Sequence, residues 1–156
     1  MIRPTEPADV DALVALTSAT GFFKPHEITA LREVFDDYFT STIFTDHICI
    51  TYDDGDNIRG FAYFTPEPMA VGTWLLWWIV VDPSTHRQGI GRRLMDHVEK
   101  EVRARNGRVI FIETSSQPIY ESTREFYLRL GYEEDGRLRD YYAAGDDKIV
   151  FRKAVV

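Results

Sequence analysis

The chain has 156 residues, of which 44% are apolar and 13% aromatic, so it can bury a core without disulfides or a metal and is too apolar to be disordered. A formal net charge of −7 argues against nucleic acid as a general partner, and the single cysteine, Cys49, excludes an internal disulfide. The longest apolar run is far short of a membrane span, and Met1-Ile2-Arg3-Pro4 carries no apolar signal region, so a cytoplasmic location with no membrane partner is expected.

Taken in order, Ile2-Arg3-Pro4 reads as a short strand, and Thr5-Glu6-Pro7 opens a helix whose apolar face is Val10, Leu13 and Val14. Gly21 ends it. Lys24-Pro25-His26-Glu27 opens a second helix burying Ile28, Leu31, Phe35 and Tyr38. Phe44–Tyr52 reads as a strand in which Cys49 is core packing, and Asp53–Asn57 turns into a second strand from Ile58 to Thr65. Gly72-Thr73 leads into the apolar run Trp74–Val81. Strict alternation places Trp74, Leu76 and Trp78 on one face and Leu75, Trp77 and Ile79 on the other.

Asp82-Pro83 stops that strand. His86-Arg87-Gln88-Gly89-Ile90-Gly91-Arg92-Arg93 follows, and then Leu94, Met95, Val98 and Val102 at helical spacing. Strand, glycine-rich basic turn and helix together form an anion site, because a helix N-terminus presents unpaired N–H groups and partial positive charge. A phosphate or pyrophosphate suits it. The helix ends near Gly107, a candidate C-cap, and Val109–Ile112 is a buried strand that closes a βαβ unit. Ser122-Thr123-Arg124-Glu125 reads as a capping box for a helix burying Phe126, Tyr127 and Leu130. Tyr132 begins another strand, Asp140–Asp147 reads as a loop, and Lys148–Phe151 is the closing strand. No linker or repeat interrupts the chain, so residues 1–156 are expected to form one domain with a mixed sheet and helices on both faces.

Two motifs at this separation resemble the GNAT superfamily of N-acetyltransferases over essentially the full length. Val81-Asp82-Pro83 with Gly89-Ile90-Gly91 matches the family's acetyl-CoA motif. Phe126-Tyr127 with Leu130-Gly131-Tyr132 matches its second motif downstream. The resemblance implies an α/β fold with a mostly antiparallel sheet of about six or seven strands flanked by about four helices. His86 stands where Arg or Gln usually begins the first motif, Tyr120 stands where many members carry Asn, and the strand before the turn lacks the Glu that several members use.

The resemblance also assigns roles. Arg87, Gln88, Gly89, Ile90, Gly91 and Arg92 would hold the pyrophosphate of acetyl-CoA, with Arg93 as a further phosphate partner. Ile79, Val80 and Val81 would pair with the pantetheine arm as with an added strand. Tyr127 would donate to the leaving thiolate. Glu113, at a strand C-terminus, is the candidate base; a structural role at the Ser115-Ser116 turn and a water relay are its alternatives, and Glu33 and Glu67 are weaker candidates. Some of Trp74, Trp77, Trp78, Phe22, Phe23, Tyr141 and Tyr142 would line an amine pocket. The four histidines show no metal-ligand spacing, so no metal is expected.

The expected activity is transfer of an acetyl group from acetyl-CoA to a primary amine, on a small molecule or a peptide, in a ternary complex. A non-catalytic acyl-CoA-binding module is the alternative. A homodimer is common on such folds, though no interface is legible.

Overall fold

Every strand and helix expected from the sequence is present in the computed structural model, which describes residues 1–156. The strands are β1 (Ile2–Pro4), β2 (Ile48–Asp53), β3 (Ile58–Pro66), β4 (Thr73–Val81), β5 (Val109–Ser115), β6 (Glu133–Ala143) and β7 (Asp146–Ala154). The helices are α1 (Val10–Ala19), α2 (Pro25–Thr40), α3 (Ile90–Ala104) and α4 (Glu121–Arg129). The seven strands form one sheet in the order β1-β2-β3-β4-β5-β7-β6. β4 and β5 are parallel, from Thr73↔Val109 to Leu76↔Ile112, as a βαβ crossover requires. β1–β2, β2–β3, β5–β7 and β6–β7 are antiparallel. No helix is long and apolar enough to cross a membrane.

The chain divides into two compact units, Met1–Thr65 with Trp78–Val98, and Pro66–Trp77 with Glu99–Val156. In the first, the apolar faces of α1 and α2 bury Leu13, Leu31 and Phe35 together with Cys49, Phe61, Tyr63 and Val80. Burying each of the larger side chains contributes about 1.5–3 kcal/mol. The Cys49 thiol is pushed up to about 12 by burial, against a hydrogen bond from Thr5 that lowers it, so it packs and does not react. The Arg3 guanidinium grips Asp9 at 2.8 and 3.0 Å and Asp53 at 3.1 Å, tying the start of α1 to the edge of the sheet. β2 begins at Ile48, not at Phe44. Phe44 instead stacks on the His47 ring at 4.7 Å, and His47 Nδ1 lies 2.5 Å from the Tyr63 hydroxyl. Side-chain pairing thus takes the place of strand pairing over these residues.

In the second unit β5 and β7 pair without a break from Val109↔Ala154 to Ser115↔Lys148. The left-handed residue that ends α3 is Asn106 (φ 62°), not Gly107. Gly107 N–H donates to Val102 O at 2.8 Å and Asn106 N–H to Arg103 O at 3.0 Å, a Schellman closure for which Asn is a tolerated C′ residue. Glycine is needed at 107 for close approach. A Cβ there would lie 2.2 Å from Val102 Cγ1 and 2.9 Å from Trp74 Cδ1.

The capping box expected at Ser122 does not form. A single 3-10 turn, Pro118–Tyr120, runs directly into α4, and Ser122 falls inside the first helical turn. Arg124 fixes this end by donating to Ser115 O at 2.8 Å and Gln117 O at 2.9 Å. The expected loop at Asp140–Asp147 is a hairpin with a wide irregularity. The β6–β7 register shifts between Leu138↔Lys148 and Ala143↔Asp146, Asp140 takes φ 56°, and the Asp147 carboxylate accepts from Asp140 N–H (2.9 Å) and Arg137 (3.0 Å). A side chain replaces a backbone partner here, which a pattern of residue types does not reveal.

Candidate active site

The turn before α3 is built from the strand end forward. Asp82 N–H donates to Arg59 O on β3 at 2.8 Å. The Asp82 carboxylate then accepts from both the N–H and the hydroxyl of Ser84, each at 2.9 Å, closing a 3-10 turn over Pro83–Thr85. Buried Thr85 donates its N–H and hydroxyl to Asp82 O and receives Gln88 N–H at 3.2 Å. Two residues in left-handed conformations follow, Arg87 (φ 69°) and Gly89 (φ 77°). A non-glycine residue held there stores about 1–3 kcal/mol of strain, a feature that concentrates at ligand sites. The chain then enters α3 at Ile90, whose first N–H groups have no partner within the helix.

Ile90 is buried and anchors the helix, whereas Arg87, Gln88, Gly89 and Arg92 are exposed around it and Gly91 is half-buried. This turn has the donors, the positive dipole end and the cations that a pyrophosphate needs. Arg93 is engaged elsewhere, donating to the Tyr52 hydroxyl at 2.8 Å and so pinning the first turn of α3 to β2.

Thr73 O accepts from Glu67 N–H beside the end of β3, and Asp82 N–H donates to Arg59 on β3. Trp74 lies by Gly107 and Val102, while Trp78 packs on Phe23 (5.3 Å) and the Leu13 cluster. Along β4, Trp74, Leu76 and Val80 are buried, Ile79 and Val81 are half-buried, and Trp77 is exposed.

Tyr127 and Glu113 both belong to the second unit. Tyr127 is 4% exposed, with its ring 5.6 Å from Phe151 and 6.2 Å from Tyr132. Burial pushes its hydroxyl well above the ordinary tyrosine value. Phe151 is opposite Ile112 and Val150 is opposite Glu113, so Tyr127 and Glu113 lie on opposite faces of the β5–β7 ladder. Glu113 does not bond the Ser115-Ser116 turn. Its carboxylate is 2.9 Å from Lys148 Nζ, which also sits 3.7 Å above the Tyr141 ring. Burial tends to lower the Lys148 pKa, but the hydrogen bonds of its ammonium to Glu113 and Tyr141 leave it raised. Glu113 is therefore an ion-pair partner first. Tyr141 and Tyr142 stand edge to face at 5.0 Å beside it, both exposed. Glu67 is spent on Met69 N–H at 3.1 Å, and Glu33 is exposed. No group of three or more His, Cys, Asp or Glu side chains could hold a metal ion.

Sequence reading missed the bracing beneath the turn. Arg59 donates to Asp54 at 2.6 Å and to Asp82 at 3.0 Å. The available signal was an aspartate inside an anion-binding turn, a charge that needs a counter-ion.

The family described as "Acetyltransferase (GNAT) family" matches residues 14–132. A crystal structure of a GNAT-family protein from Desulfovibrio desulfuricans superposes with a TM-score of 0.95 and 34% identity, covering 100% of this chain and 99% of that one. An aminoglycoside 6′-acetyltransferase type Ii superposes with a TM-score of 0.83 and 27% identity, covering 100% and 97%. S-(2-succino)cysteine N-acetyltransferase of Bacillus subtilis is 30% identical over 70 residues, which is 45% of this chain and only 42% of that protein's length.

Proposed function

The chain belongs to the GNAT acetyltransferase family, and from that premise we propose that it transfers an acetyl group from acetyl-CoA to a primary amine by direct attack in a ternary complex. The observation that carries this is the turn before α3, with left-handed Arg87 and Gly89 and open N–H groups at Ile90, Gly91 and Arg92. These residues, with Gln88, would hold the pyrophosphate. Ile79 and Val81 would offer backbone groups to the pantetheine arm, with Val80 anchoring the strand in the Leu13 cluster. A backbone N–H near Val80 or Val81 would polarise the thioester carbonyl, which must carry negative charge as the amine adds.

The amine adds to the carbonyl carbon, the C–S bond breaks, and the sulfur departs as a thiolate while the nitrogen loses a proton. Tyr127 would donate a hydrogen bond to that sulfur. Because burial raises its pKa, it acts as a fixed donor rather than a readily ionised acid. A group with a raised pKa keeps its proton to higher pH, so Tyr127 should impose no loss of rate between pH 7 and about 10. Tyr127→Phe should lower turnover about 10- to 100-fold with the KM for acetyl-CoA nearly unchanged. Unchanged turnover would remove Tyr127 from the mechanism.

Glu113 is held by Lys148, which favours proton removal through an ordered water, with Glu113 helping to place the amine. The exposed Tyr141–Tyr142 pair beside it would offer aromatic faces to an ammonium group. Release of free thiol from acetyl-CoA, followed across a panel of amines that includes aminoglycosides, amino acids and peptide N-termini, tests this reading. Thiol release dependent on one class supports it; binding of acetyl-CoA with no release for any amine supports the non-catalytic module instead.

A further inference from the structure

Asp82 presents a difficulty for any anion site at this turn. Its carboxylate shapes the turn through Ser84, yet it places a negative charge directly ahead of the groups that must attract a pyrophosphate. Burial tends to raise its pKa, but hydrogen bonds from Ser84 and then Arg59 bring it below the ordinary carboxylate value, so the charge is present at neutral pH. Asp54 adds a second one. The Arg59 hydrogen bond, reinforced by the N–H groups of Asn57 and Asp56, holds it down at about 2.

Arg59 alone spans both carboxylates, with Nε on Asp54 Oδ2 at 2.6 Å and Nη1 on Asp82 Oδ2 at 3.0 Å. Its main-chain carbonyl accepts Asp82 N–H at 2.8 Å, so backbone and side chain of one β3 residue hold one aspartate. The other oxygen of that aspartate is left for Ser84.

We infer that Arg59 is a positioning residue for the acyl-CoA turn: it cancels the charge of Asp82 and fixes its rotamer, so that the aspartate can shape the turn without repelling the pyrophosphate. This rests on the reading of the turn as a CoA site. The Arg59 guanidinium is taken up by the two aspartates. It acts through Asp82 on the backbone from Ser84 to Gln88.

The role separates from a general structural one by the ligand it affects. Arg59→Gln should raise the Kd and KM for acetyl-CoA about tenfold, and kcat at saturating acetyl-CoA should stay within about twofold. The loss should be steepest at low salt, because an uncancelled charge is screened as ionic strength rises. S-acetylpantetheine, which has no phosphate, should be used equally well by the variant and the parent. Arg59→Lys should recover part of the affinity. The double variant Arg59→Gln/Asp82→Asn should bind more tightly than Arg59→Gln alone, because the repelling charge is gone.

If the parent protein does not bind acetyl-CoA, the reading of the turn itself fails. If the parent binds and Arg59→Gln binds equally well, or loses acetyl-CoA and S-acetylpantetheine in equal measure, the inference about Arg59 is overturned while that reading stands. Should Arg59→Gln fold poorly by thermal melting, Arg59→Lys carries the same comparison, because lysine keeps the charge but cannot span two carboxylates with fixed geometry.

Discussion

Gly89→Val should cost roughly 10- to 100-fold in affinity for acetyl-CoA, with little loss of fold stability. Gly89 takes φ 77°, where a β-branched residue costs about 1–3 kcal/mol. The protein itself leaves room for the side chain, since a Cβ at this position meets nothing within 4 Å. The strain is therefore relieved by moving the turn, not by unfolding the molecule. Moving the turn displaces the N–H groups of Ile90 and Gly91 from a common focus, and a cradle of several donors loses most of its strength when they no longer converge. Gly89→Ala should lie between valine and the parent. A valine variant that binds acetyl-CoA as tightly as the parent would show that the conformation of residue 89 does not matter to the ligand.

Lys153→Met should destabilise the protein by about 3 kcal/mol, lowering Tm by roughly 10 °C for a chain of this length. Lys153 Nζ lies 2.5 Å from Glu99 Oε1, donates to Leu130 O at the end of α4 at 2.8 Å, and sits 5.5 Å over the Tyr132 ring. Glu99 is only 4% exposed, so removing its partner leaves a buried charge uncompensated. The lower end of the usual range applies because the lysine side chain itself is 28% exposed. The same pocket already carries the Tyr132 hydroxyl, which has no hydrogen-bond partner. Replacing both charges, as in Lys153→Met/Glu99→Leu, should restore at least half of the loss, because an apolar pair of similar volume is often as stable as a buried ion pair. A loss below about 1 kcal/mol in the single variant would contradict this account of how the end of α4 is held.

Where one residue type repeats at a fixed spacing, the fold was legible. Leu13, Leu31 and Phe35 declare their helix faces, and Val109–Ile112 declares a strand covered on both sides. The turn before α3 was legible because glycines, arginines and a strand stop are local signals. Three features were not, because the side chain that decides each is not marked by the local pattern. The hairpin at Asp140–Asp147 is held by the Asp147 carboxylate, which accepts from Asp140 N–H and Arg137. Glu113 finds Lys148, thirty-five positions later, in place of the adjacent serines. Arg93 and Arg59 look alike in sequence, yet one is bound to Tyr52 and the other braces Asp82.

We propose that the turn from Arg87 to Arg92 holds the pyrophosphate of acetyl-CoA, and calorimetric titration of acetyl-CoA into the purified protein tests this. One-to-one binding in the sub-millimolar range that weakens as salt is raised is the expected result. Failure of both acetyl-CoA and free CoA to bind at sub-millimolar concentration would contradict it.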